Sequence, residues 1–294
     1  MVAQAFRFLF SLVVCLLFLG SASGLHALKA AAPTTQPGEE ITRVEVPEVL
    51  DYCGLILKFT PEARALVQQE VDKLMQNLFY HQVMVERADQ YMPYIRTAFR
   101  DMGVPEDLVF IAIQESALKG DAVSKSNAVG FWQFKDFTAR EVGLMVNGQV
   151  DERKHIYRAS VGAALYFNKN YLRHRNWLYA VISYMTGGTG AIPFIDAQYK
   201  GAREMVVEAD LHWYARKAIA HKLAYQPFLG KKPPKTWLEV SSTEGETNVQ
   251  RLVQENELDM EEFRKHNLWV RSNQLPQERP FSYYYPTKPE KRPR

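Results

Sequence analysis

The sequence predicts a mainly α-helical protein that ends in a small α+β module. Three observations carry this prediction. From about residue 47 to residue 226 apolar side chains recur at three- and four-residue spacing, nothing in that span alternates convincingly as a β-strand, and the character changes after Lys231 to Lys235, a run containing Pro233 and Pro234. Within the helical span, Pro61 opens a segment whose Leu66, Val67, Val71, Leu74, Met75 and Leu78 form one apolar face. Further helices are expected at Met84 to Met102, Pro105 to Leu118, Ala159 to Leu172, Trp177 to Met185 and roughly Glu204 to Leu223. After the break come a β-like segment at Trp237 to Ser241, two short helical patterns and an aromatic β-like segment at Phe281 to Tyr285.

At 294 residues and 47% hydrophobic, the chain has ample material for a packed core and exceeds the usual length of one domain. The net charge of +3 arises from 36 basic and 33 acidic residues without a dense basic block, outside the short tail and the 231–235 stretch. Nucleic acid is therefore not an implied partner.

Arg7 precedes the apolar run Phe8 to Leu19, and Ser21, Ala22 and Ser23 follow with a small-residue cleavage pattern. Residues 1–24 are expected to be a secretory signal peptide, which makes the protein an exported one. An uncleaved anchor is the alternative, but the run is shorter than the roughly 20 residues that span a bilayer. Cys15 follows Val14, where a lipid-attachment signal wants a small residue. With Cys15 removed, Cys53 is left alone and is expected to act as a small buried hydrophobe. Residues 25–46 read as a flexible segment.

The helix beginning at Pro105 carries the chemistry. Pro105 suits the first helical position, and Glu106 and Asp107 suit the positive end of the dipole. Glu115 lies seven residues after Leu108 and four after Ile111, so its carboxylate shares their apolar face. Desolvation there raises a carboxyl pKa, as a general acid near neutral pH requires. Alone, such a glutamate is more often tied to an arginine or to backbone donors. Its neighbourhood shifts the balance: Gly130, Phe131, Trp132, Gln133 and Phe134 supply a close-approach glycine, an aromatic face for a sugar ring and an amide for hydroxyl or acetamido groups. Ser183 and Tyr184 then end an apolar helix at the Gly187-Gly188 turn.

The ordered set Glu115-Ser116-Ala117, Gly130-Phe131-Trp132-Gln133, Asp151-Glu152-Arg153 and Ser183-Tyr184 with Gly187 resembles the catalytic domain of lytic transglycosylases, the SLT or goose-lysozyme-like family. Within it, the chain resembles the membrane-bound lytic murein transglycosylases of the D type. It spans roughly 104–196, and four motifs in order are far more specific than any one of them. It implies a lysozyme-like α-helical catalytic domain over residues 47–230, with Glu115 as acid and base and Tyr184 beside it. Ser116, Gly130, Phe131, Trp132, Gln133 and Ser183 are implied as substrate-binding residues. Met185 stands where the family usually has asparagine, and Lys119-Gly120 where it often has Asn-Pro. Residues 231–236 read as a linker and 287–294 as a basic tail. Between them, residues 237–286, with Gly245-Glu246-Thr247, Val249, Leu252, Val253, Leu258, Phe263 and Asn267, resemble a degenerate LysM glycan-binding module. Packing against the catalytic domain is the alternative role for it.

The implied reaction is cleavage of the β-1,4 bond between MurNAc and GlcNAc with formation of 1,6-anhydro-MurNAc ends, without metal or organic cofactor. The implied partners are peptidoglycan glycan strands in the periplasm, with peripheral membrane association as an option, and a monomer is expected. A lysozyme-like hydrolase is the alternative within enzymes; it would need a second carboxylate, for which Asp121, Asp136 and Asp151 are candidates in polar, solvated contexts. A catalytically inactive glycan-binding or scaffold protein is the alternative of another class.

Overall fold

The computed structural model describes residues 43–245 and 247–287, all of which fall in one compact unit that starts at Arg43. The expected signal peptide, Cys15 and most of the flexible segment lie outside the described residues, as do Glu246 and residues 288–294. Among the described residues no helix is long and apolar enough to cross a membrane.

The fold is mainly α-helical, as expected, but it opens with a small sheet. Strands β1 (Val49–Tyr52) and β2 (Leu55–Phe59) form an antiparallel hairpin, and β3 (Glu204–Val207) pairs with β2 in parallel. This corrects two expectations: that nothing before residue 226 is a strand, and that a helix runs from Glu204. The hairpin turns on Cys53 and Gly54 at φ 61° and 75°, the left-handed pair that a two-residue turn of this hand requires. In β2 the burial does alternate, with Leu55 and Leu57 inside, but Ile56 on the other face hides the period. Cys53 is buried, and burial pushes its thiol well up, which suits a packing role.

Helix α1 (Pro61–Met75) is capped by Thr60, whose hydroxyl accepts from the Ala63 amide at 3.2 Å, and has Pro61 in its first turn. Helix α2 (Leu78–Asp101) is capped by Asn77. A 3-10 turn over Glu106–Phe110 leads into α3 (Ile111–Ser116), so the expected helix from Pro105 is partly 3-10 and stops two residues early. Ala117 and Leu118 stop it, at φ 52° and 56°. Left-handed backbone at two consecutive non-glycine residues is uncommon, and here it follows directly on Glu115-Ser116.

Short α4 (Asp136–Glu141) precedes the long pair α5 (Ile156–His174) and α6 (Trp177–Gly190), the second kinked at Gly187, where φ is 74°. Helix α7 (Trp213–Tyr225) packs along α1 and α3. The core sits where these helices meet α3. Leu108, Val109, Phe110, Ile111, Ala112 and Ile113 are all buried in it, and Phe99 stacks on Trp132 with ring centroids 5.2 Å apart.

The C-terminal part has the order strand, helix, helix, strand: β4 (Leu238–Ser242), α8 (Val249–Glu255), α9 (Met260–His266) and β5 (Ser282–Pro286), with β4 and β5 antiparallel. Its own core holds Val249, Leu252, Val253, Phe263, Trp269 and Phe281. Val150 from the preceding helical part is built into this core, while Tyr284 belongs to the main one. The seam is polar as well as apolar. Asp151 and Glu152 are fully buried; Asp151 pairs with Arg153 at 2.8 Å and Arg271 at 2.5 Å, Glu152 with Arg279 at 2.5 Å and Arg158 at 3.4 Å. Tyr94 donates to the Leu238 carbonyl at 2.7 Å, and the Asp151 amide donates to that of Trp269 at 2.8 Å.

Candidate active site

Glu115 occupies the last turn of α3, half-buried, in a cleft of about 480 Å³. The cleft is walled by α1 and α2 on one side through Leu74, Tyr80 and Met84, by α7 on another through His221 and Tyr225, and by the loop following α3 through Ala122, Ser124 and Gln133. Among the described residues lining it, Glu115 is the one charged side chain. Burial pushes its carboxyl up to about 7, partly opposed by the Tyr214 hydroxyl, which donates to Oε1. A carboxyl near 7 is present in both protonation states at neutral pH, which lets one group give a proton and then take one back.

Tyr214 was not singled out by sequence reasoning. It sits in the first turn of α7 and is buried; burial, reinforced by the Glu115 charge, pushes its phenol well above the ordinary range, so it stays a hydrogen-bond donor. The signal in sequence was faint: one more tyrosine on a helix rich in apolar residues, 99 positions after Glu115. Tyr184, expected beside the carboxylate, spends its own hydrogen bond on another partner. Its hydroxyl donates to the Trp132 carbonyl at 2.7 Å and its ring stacks on Phe167 at 4.7 Å. The Glu115 charge still reaches it, adding to the larger effect of burial.

The Gly130 loop is held from three sides. Ser116 Oγ donates to the Phe131 carbonyl at 2.8 Å, tying the loop to the end of α3. Gly130, at φ 84°, lies so close to the Arg153 carbonyl that a Cβ would stand 1.9 Å from that oxygen, a fit available to glycine alone. Gln133 Nε2 donates to the Gly130 and Ala122 carbonyls at 3.0 and 3.2 Å, so the part of the amide left for a ligand is its Oε1.

The structure brings Glu115, Ser116 and Gln133 to the cleft and keeps other expected residues out of its lining. Trp132 is fully buried, its indole N–H donating to Ser160 Oγ at 2.9 Å, which corrects its expected role as a sugar platform. Phe131 is buried against Tyr91, and Ser183 is buried with its hydroxyl on the Tyr179 carbonyl at 2.8 Å. These residues shape the loop and the helix behind the site. Of the candidate second carboxylates, Asp121 is exposed, Asp136 is exposed and paired with Arg140 at 2.8 Å, and Asp151 is fully buried in the seam rather than solvated. Among the described residues, no group of three or more His, Cys, Asp or Glu is placed to hold a metal ion.

With a helical fold, one desolvated carboxyl at the end of a buried helix and an open cleft described, the comparison with known families is informative: residues 93–204 match the Transglycosylase SLT domain. Among curated proteins, membrane-bound lytic murein transglycosylase D of Escherichia coli strain K12 is 29% identical over 137 residues, 46% of this chain. The protein of the same name from Escherichia coli O6:H1 matches to the same extent. The chain covers 30% of the length of these relatives.

Proposed function

We propose that the protein is a peptidoglycan lytic transglycosylase that cleaves the β-1,4 bond between MurNAc and GlcNAc and leaves 1,6-anhydro-MurNAc ends. The observation that carries this reading is Glu115, with its carboxyl near 7, as the one charged side chain lining the cleft of an SLT domain. Protonated Glu115 donates to the glycosidic oxygen as the bond to the MurNAc anomeric carbon breaks, and the substrate's own 2-acetamido oxygen covers the developing positive charge. The Glu115 carboxylate then removes the C6 hydroxyl proton while that oxygen bonds to the anomeric carbon. The carboxyl ends as it began, and no water is consumed. Gln133 is assigned to substrate binding; Ser116 and Gly130 hold its loop, and Phe131, Trp132, Ser183 and Tyr184 form the rigid backing.

A tethered hydroxyl competes well with water, because a well-oriented intramolecular nucleophile can have an effective concentration of order 10⁵ M or more. The described cleft lining also offers no second carboxylate to activate water. Mass analysis of products from purified peptidoglycan tests the assignment: each anhydro-ended fragment is lighter by one water than a hydrolase product and lacks a reducing end. Predominantly reducible ends carrying oxygen from labelled water would show a lysozyme-like hydrolase, and intact glycan an inactive binding or scaffold protein.

Export to the periplasm, by way of a signal peptide at residues 1–24, belongs to the same proposal, as do a monomeric state and glycan binding by residues 237–286. Support for the last is a separate small core carried on a strand-helix-helix-strand unit. The seam of ion pairs described above means that such a module would act from a fixed position rather than on a free linker.

A further inference from the structure

A second cavity, of about 350 Å³, shares no lining residue with the cleft at Glu115. It lies between the 3-10 turns that follow α6, Ile192–Phe194 and Ala197–Tyr199, and the stretch that runs from β3 to the start of α7. Tyr179 on α6 pins the first wall: its hydroxyl donates to the Asp196 carbonyl at 3.2 Å and accepts from the Asp196 amide at 3.0 Å. On the other side the alternation of β3 buries Met205 and Val207, which makes the floor of the cavity apolar.

His212 brings a buried donor to this floor. It is 9% exposed, lines the cavity and caps α7, with the Tyr214 amide donating to its Nδ1 at 3.2 Å. Burial holds the imidazole below its ordinary range, and the Arg216 charge adds to the effect, so the ring is neutral at pH 7. With the lone pair on Nδ1, the hydrogen is on Nε2. Phe194 meets the ring edge-on at 4.5 Å and fixes its orientation. Among the described residues nothing accepts from Nε2, which leaves a donor nine-tenths buried and uncompensated.

The rim has the opposite character. Asp196, Glu208 and Asp210 stand exposed around it, no lysine or arginine lines it, and none of these carboxylates pairs with a cation among the described residues. They do not form a group able to hold a metal ion, so the charge that matches them is an organic cation.

We propose that this cavity binds a peptide bearing a lysine-like side chain, with His212 Nε2 donating to a peptide carbonyl, the aliphatic carbons over Met205 and Val207, and the ammonium among Asp196, Glu208 and Asp210. Such a residue has its parts in the order that the cavity presents them: an acceptor, an apolar stem, and a cation at the end of the stem. Its source is the peptide attached to the glycan strands of peptidoglycan, whose diamino acids supply such side chains. The choice of source rests on the transglycosylase reading and deepens it.

Calorimetry on the full chain with acetyl-Ala-Lys-Ala-amide tests the chemistry, and the same peptide acetylated on Nζ removes the charge alone. The free amine should bind about five-fold more tightly than the acetylated form in the wild type, and within about two-fold of it in the double variant Glu208→Gln, Asp210→Asn. His212→Asn keeps a side-chain acceptor for the Tyr214 amide and removes the Nε2 donor, so it should weaken both peptides about five-fold. Circular dichroism matched to the wild type confines these effects to binding. Equal affinity for the two peptides in the wild type, or undiminished binding in folded His212→Asn, would overturn the site.

Kinetics identify the source. On intact peptidoglycan the double variant should raise KM about five-fold with kcat held, and on glycan strands stripped of peptide by an amidase it should match the wild type. A wild-type KM on both substrates, with the calorimetric preference intact, would overturn the wall peptide as the occupant. Cleavage of neither substrate by the wild type would overturn the transglycosylase reading, and the calorimetry would still decide the cavity.

Discussion

The Tyr214 hydroxyl donates directly to the Glu115 carboxylate, joining the first turn of α7 to the last turn of α3. Two effects meet on that carboxyl. Burial favours its protonated form, and the phenol favours the charged form. The value near 7 is where they balance, and each can be changed separately.

Replacing Tyr214 with phenylalanine removes the donor and leaves the burial. The Glu115 carboxyl should then titrate higher, by about one pH unit for the loss of a hydrogen bond to a charged acceptor. Because the chemistry begins with a protonated acid, kcat/KM should fall as pH rises through about 7 in the wild type, and through a value about one unit higher in Tyr214→Phe. Tyr184→Phe should leave the position of this limb in place, since its hydroxyl is held by the Trp132 carbonyl. An unmoved limb in Tyr214→Phe, or a moved one in Tyr184→Phe, would reverse the roles assigned to the two tyrosines.

Glu115→Gln should abolish wall-degrading activity while the fold persists, and it should reveal the cost of ionising this group. The folded-state value of about 7 lies above the unfolded value of 4.5, so the native state holds its proton more tightly than the unfolded chain. The stability due to that proton is complete below about pH 4.5 and is lost as pH rises through about 7. Glutamine does not titrate. The wild type should therefore lose roughly 3 kcal/mol relative to Glu115→Gln between pH 4 and pH 8, an order-of-magnitude figure readable from urea unfolding at the two pH values. A constant difference would mean that the carboxyl is not desolvated.

Much of the fold and part of the site was legible in the sequence, and the limits have physical causes. Helices with one apolar stripe announce themselves by period, so α1, α2, α5 and α6 fall close to the expected positions. Strands β1, β2 and β3 are four or five residues long, too short to establish a period against apolar residues such as Ile56 and Val206 on their outer faces. Glu115 could be found because a charged residue on a buried face is a local anomaly. Trp132 shows the converse: an aromatic in a glycine-rich loop looks equally like a platform or a core residue until the indole partner, Ser160, is known. Tyr80 and His221 come to the cleft from helices separated by more than a hundred residues of chain, Tyr214 meets Glu115 across 99 positions, and local pattern does not report on such meetings.

Gly130→Ala should damage the site without touching a ligand. The new methyl group would meet the Arg153 carbonyl, a backbone atom unable to swing aside, at a residue already in the left-handed region. The loop would have to move, taking Gln133 with it. A loss of about 2 kcal/mol or more in stability is expected, with KM raised more than kcat is lowered in whatever fraction stays folded. Wild-type stability and kinetics would show that the close approach is not kept in solution.

The last prediction concerns the seam that joins the C-terminal part to the catalytic part. Asp151 and Glu152 are fully buried carboxylates, and each has one arginine from the catalytic part and one from beyond residue 270. A buried carboxylate deprived of its counter-charge costs far more than a surface ion pair contributes, so the consequence depends on how many partners remain. In Arg271→Gln, Asp151 keeps Arg153; in Arg279→Gln, Glu152 keeps Arg158 and the Met145 amide, which donates to it at 2.7 Å. Each single change should cost about 1–2 kcal/mol, and the double change about 3 kcal/mol or more, because both acids then rest on one cation each across the same seam. Deleting the chain from Lys235 onward removes both arginines and also uncovers Val150 and the Tyr94 hydroxyl, so the shortened protein should be less stable still and should lose cleavage of short soluble glycans along with binding to intact wall. A truncated protein that unfolds at the wild-type urea midpoint and cleaves soluble fragments at the wild-type rate would show that the two parts are independent despite the seam.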